Sequence, residues 1–172
     1  MSHFEFVLTG TSFLIAIMIS RVVATLSEVR FRGADFRHVS WLVVLTFHLL
    51  IFWWFGWRYR EFEFTVQMYF VGMLPTLALL FTVTALTPRE VPDSWAIFFD
   101  DRRSRFFALY CTFWVLLAVS QYFMLDEIRP SVMPLTLCVL GLLVKSEFVQ
   151  KALPVLMGIV FIAIGLVFPE GL

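Results

Sequence analysis

The chain has 172 residues, of which 60% are hydrophobic and 18% aromatic, with a mean hydropathy of +0.88. A soluble domain of this length cannot bury so much apolar surface, so lipid must be its solvent. Thirteen Lys and Arg balance thirteen Asp and Glu to a formal charge of zero, which removes the case for general nucleic-acid binding.

A bilayer core of about 30 Å takes roughly 20 apolar residues per helix. The chain divides into six apolar runs: Phe4–Leu26, Val39–Trp57, Phe64–Leu86, Phe106–Leu125, Ser131–Val144 and Ala152–Phe168. The expected fold is all-α, a polytopic membrane bundle of six transmembrane helices forming one domain over residues 1–172.

The first run has neither a basic leader nor a small-residue cleavage site and is expected to stay as a helix. Its Thr9, Gly10, Thr11, Ser12, Ala16 and Ser20 are small enough for close helix packing; hydroxyls of several copies around an axis would line a pore. Near its end, Arg21, Thr25 and Glu28 follow an i, i+4, i+7 course along one face. That stripe either lets Arg21 snorkel to the headgroups or lines an anion or substrate vestibule.

The second run holds His48 at its midpoint, too deep for an imidazole to reach either membrane surface. A titratable group at that depth is a functional candidate. It is a neutral histidine bonded to a neighbouring helix, part of a proton or ion pathway, or a metal or haem ligand; the last is the weakest reading, because a site needs several ligands and His3 and His38 fall near opposite faces of the membrane. Trp53, Trp54, Trp57 and Tyr59 at one end and Trp41 at the other read as interface anchors.

The third run carries Gly72 and Pro75 near its middle, and Pro75 is the expected kink. The segment from Thr87 to Arg105 opens with Pro88 and Pro92, then offers Asp93 or Ser94 as an N-cap. A short interfacial helix from Trp95 is expected there, ahead of the fourth span. Its Arg102, Arg103 and Arg105 would meet anionic lipid headgroups at about 1 kcal/mol each.

The fifth run has only 14 uncharged residues. Either it extends through Lys145 and Phe148, or it forms a re-entrant hairpin with the sixth, whose Pro154 and Gly158 lie near its start. Pro75 and Pro154 do not extend into an alignment of the two halves, so no inverted repeat is read. Cys111 and Cys138 sit inside apolar runs, where thiols act as small hydrophobes.

Under six crossings, one side holds Arg21, Arg30, Arg32, Arg37, Arg89, Arg102, Arg103, Arg105, Lys145 and Lys151, and the other only Arg58, Arg60 and Arg129. This bias places the first, third and fifth loops in the cytoplasm and both termini outside, and it favours a true fifth crossing.

No metalloprotease, nucleophile-elbow or phosphate-loop motif is present, and no metal or cofactor is expected. The acidic pairs Glu61 and Glu63, Asp100 and Asp101, and Asp126 and Glu127 lie in loops, where solvation accounts for them. Asp100 and Asp101 are the only candidate chemistry for a lipid-modifying enzyme. The leading expectation is a small homo-oligomeric permeation protein, channel or transporter, of a bacterial inner membrane. Its pathway candidates are His48, Arg21, Glu28, Thr25 and Ser20. The alternative is a non-catalytic accessory or sensory subunit of a larger membrane complex.

Overall fold

The computed structural model describes residues 3–29, 34–56, 66–125 and 129–167. Trp57, Tyr59 and the acidic pairs Glu61/Glu63 and Asp126/Glu127 lie outside them. The described residues form six helices: α1 (His3–Val29), α2 (Phe36–Phe55), α3 (Val66–Leu86), α4 (Trp95–Leu125), α5 (Arg129–Leu143) and α6 (Glu147–Val167). All but α5 are long and apolar enough to cross a bilayer, so this is a multi-pass membrane protein.

The helices pack as a closed ring in the order α1, α3, α4, α5, α6, α2, with α2 and α4 also meeting across the middle. Polar contacts gather the α1–α2, α3–α4 and α5–α6 connections at one end: Arg37 reaches Asp100 at 2.8 Å, and Arg103 reaches the carbonyls of Gly141 and Val144. The centre is filled by aromatic side chains. Trp41 of α2 is fully buried, its ring edge-on to Phe106 and Phe107 of α4 at 5.2 and 5.3 Å. Expected as an interface anchor, Trp41 is instead a core residue, because it lies on the face of α2 that carries Leu42, Leu45 and Leu49 into the bundle. Outward, large apolar side chains such as Phe13, Phe70, Phe81, Phe123 and Phe148 stand exposed, a surface suited to lipid.

Helix α2 starts three residues before the expected boundary because Asp35 caps it, accepting the N–H groups of Arg37 and His38 at 2.9 and 3.1 Å. The polar start is tolerated because Arg37 is paired with both Asp35 and Asp100. The expected interfacial helix does not form as an element of its own. No glycine or proline interrupts residues 95–125, so the segment from Trp95 to Arg105 is the first three turns of the continuous 31-residue α4. Ser94 supplies the cap, its Oγ 3.4 Å from the Ile97 N–H.

Pro75 lacks the N–H that would bond the Val71 carbonyl four residues earlier. Ser120 of α4 reaches that carbonyl, its one hydroxyl proton shared between Val71 O at 3.0 Å and Leu116 O of its own helix at 2.9 Å. Helix α5 ends at Leu143, so the extension through Lys145 and Phe148 does not occur: a short turn intervenes and α6 begins at Glu147. Ser131 bonds Gln121 at 2.8 Å at one end of α5, and Arg103 reaches Val144 at the other. The order of these contacts is reversed along α4, and the α5-side partners are 13 residues, about 20 Å of helical rise, apart, so α5 runs antiparallel beside α4. Cys111 on α4 and Cys138 on α5 are free thiols.

Candidate functional site

At the middle of α2, His48 is buried, 2% exposed. Tyr110 of α4 meets it, the phenolic oxygen and His48 Nδ1 sharing a hydrogen bond of 2.8 Å. The imidazole lies flat on Trp114 at 5.0 Å and on Phe161 of α6 at 4.9 Å, with Phe113 edge-on at 4.9 Å. With Phe52 of α2 edge-on at 6.3 Å, the pair is enclosed by rings from three helices. Sequence reasoning missed Tyr110; the helical spacing of Phe106, Tyr110 and Phe113 could have marked it as core, but nothing in the spacing points to its hydroxyl partner.

A second polar assembly lies at the end where the three connections gather. The α1 stripe is brought together as its spacing implied: Arg21, Thr25 and Glu28 line a cleft of about 250 Å³ closed on its far side by Thr87 to Val91 and Trp95. Arg21 is half-buried and donates from Nη2 to the Thr87 carbonyl at 3.2 Å. Thr25 is buried and donates back to the Arg21 carbonyl at 2.9 Å. Glu28, Arg89 and Glu90 are exposed at the rim. Ser20, the fifth pathway candidate, is exposed and is not among the lining residues. His48 is not among them either, so the candidates divide between two places.

Behind the cleft, His38 is fully buried. Its Nε2 lies 2.8 Å from the Leu86 carbonyl, which can only accept, so Nε2 carries the proton. The ring stacks on Trp95 at 4.8 Å with 16° between planes. Sequence reasoning passed over both residues. Neither has a spacing that distinguishes it, and only the fold places the start of α2 against the end of α3 and the start of α4. Next to them, burial opposes the charge of Asp35, but hydrogen bonds from Arg37 and from the His38 N–H, with the Arg37 charge, hold its carboxyl below the ordinary value.

The arginines expected at lipid headgroups separate. Arg102 and Arg105 are exposed, whereas Arg103 is 6% exposed and donates to the Gly141 carbonyl at 2.6 Å. Together with Gln150 of α6, which donates to the same carbonyls, it caps the end of α5. Among the described residues no three His, Cys, Asp or Glu side chains come together. No protein-family model, curated protein or solved structure matches the chain.

Proposed function

We propose that the protein is a small permeation protein, a channel or transporter for ions or small solutes, working as a homo-oligomer in a bacterial inner membrane. The observation that carries this reading is the cleft in which Arg21, Thr25 and Glu28 of α1 face Thr87 to Val91 and Trp95. Costly polar groups on a span are retained where they meet solute or water. In this reading all six helices cross, both termini are outside, and the ten-to-three distribution of Lys and Arg puts the cleft on the cytoplasmic side. Arg102 and Arg105 then face anionic headgroups. Among the described residues aromatic rings fill the surroundings of His48, so in this reading permeation runs along contacts between copies, where Thr9, Ala16 and Ser20 of α1 are exposed while Ser12 is held inside the bundle by the Trp53 indole N–H. The reading contains no chemical step and needs no cofactor.

Proteoliposomes test it. Flux of protons, small ions or small zwitterions is expected across pH 5 to 8, reduced at least tenfold by Arg21→Ala; absence of flux for every solute sinks the proposal.

The same enclosure of His48 favours a second reading, a non-conducting accessory subunit whose aromatic core serves packing alone. A chain that is monomeric when purified by itself, and stable only with another polypeptide, supports that reading and excludes the first.

A further inference from the structure

The chain has two cysteines, Cys111 on α4 and Cys138 on α5, and the fold sets them side by side. The pairing follows from the register of the two helices. The Phe107 ring of α4 lies directly on Gly141 of α5, where an added Cβ would come within 2.3 to 2.7 Å of it. Cys111 is one turn further along α4, and Cys138 is one turn back along α5. Because the helices are antiparallel, both steps lead to the same level of the seam. There the two thiol groups are in hydrogen-bonding contact, and neither is cross-linked.

The two sulfurs differ in access. Cys138 is fully buried, whereas Cys111 is half-buried, with Ala108, Thr112 and Val115 of the same helix exposed around it. Arg105 is the last charged residue of α4, and Cys111 lies six residues, about 9 Å of helical rise, beyond it. Beside the seam on α5, Val139 and Leu140 are exposed. A reagent that meets Cys111 therefore comes from the lipid.

We propose that Cys111 and Cys138 are a redox-active dithiol that closes to a disulfide across α4 and α5 by reducing a lipid-soluble quinone. Two S–H bonds break and one S–S bond of about 2.05 Å forms. Two electrons and two protons pass to the quinone oxygens and give the hydroquinone. Dithiol and quinone thus match one for one, and every species is neutral before and after, so no charge is left where the bilayer makes charge costly. Cys111 is the sulfur the quinone meets, and Cys138 is the resolving thiol that completes the bond. The disulfide fixes α5 to α4 between the Ser131–Gln121 contact at one end and the Arg103–Val144 contact at the other. The proposal adds a modification site to the bundle and does not depend on permeation.

The test incubates the full chain in phosphatidylcholine nanodiscs, without oxygen, with decylubiquinone, whose fully substituted ring accepts electrons but leaves no open position for a thiol to add. One hydroquinone is expected per chain, with the protein mass lower by two hydrogens. Alkylation by N-ethylmaleimide after denaturation in dodecyl sulfate is expected to fall from two thiols to none, and dithiothreitol to restore both. Cys111→Ser and Cys138→Ser are each expected to reduce hydroquinone formation at least tenfold and to keep the remaining thiol alkylatable. No hydroquinone, disulfides between chains instead of within one, or an undiminished yield from either single variant overturns the proposal. Should a serine variant fail to fold, the alanine variant replaces it, and the mass and alkylation of the unaltered chain decide independently. Tetrathionate, an oxidant confined to water, is expected to close the disulfide at least tenfold more slowly than the quinone; an equal rate overturns the lipid-borne route.

Discussion

Tyr110 and His48 spend their hydrogen-bonding capacity on each other inside a shell of rings, at a depth where neither has water to fall back on. Tyr110→Phe removes one partner at almost constant volume, and is expected to lower stability by about 1 kcal/mol. The double variant with His48→Leu should cost less than the sum of the two singles, measured as denaturation midpoints in detergent. A fully additive pair would mean that the bond contributes nothing. Asp35 gives a different signature. Its folded carboxyl titrates below its unfolded value, so the stability it contributes is fully present above about pH 4 and is lost as pH falls through the folded value. Asp35→Ala should cost about 1 kcal/mol at pH 7 and flatten the acid limb of stability against pH.

At the scale of the helix, two positions decide how α4 meets its neighbours. A Cβ added at Gly141 of α5 would lie 2.3 to 2.7 Å from the fully buried ring of Phe107. Gly141→Ala is therefore expected to destabilise the bundle by about 1–3 kcal/mol, and Phe107→Leu to recover part of that loss in the double variant. The second position is Ser120, whose value depends on Pro75. Ser120→Ala should cost about 1 kcal/mol in the natural chain, since it abandons the Val71 carbonyl, and much less in a Pro75→Ala background where the helix satisfies its own carbonyl. Sequence periodicity located six helices because apolar length is a local property. It could not show that residues 95–105 continue into α4, since charged residues at a helix start and charged residues in an interfacial helix look alike. Nor could it separate Arg103 from Arg102 and Arg105; the distinction is which of the three faces the end of α5. The Arg21, Thr25, Glu28 stripe was visible because one helix contains all of it. The wall formed by Thr87 to Val91 and Trp95 was not, because α1 and α4 are far apart in the chain and only the closed ring brings them together.

For the molecule as a whole, the closed ring leaves one end rich in cross-linked charge and the lateral surface almost entirely apolar. Orientation is directly measurable. A cysteine at the exposed Ser104 should be modified only by a reagent admitted to the cytoplasmic side, and one at Glu63 only from outside; the reverse pattern overturns the assignment of sides. The capping bonds at the charged end carry a further consequence, which concerns order in time. The last carbonyls of α3 are closed by Arg21 and His38, both supplied by helices that precede it in the chain. Those of α5 are closed by Arg103, which precedes it, and by Gln150, which follows. During synthesis the first three helices thus hold all that is needed to close the end of α3 before α4 leaves the ribosome, whereas the end of α5 stays partly open until α6 has entered the membrane.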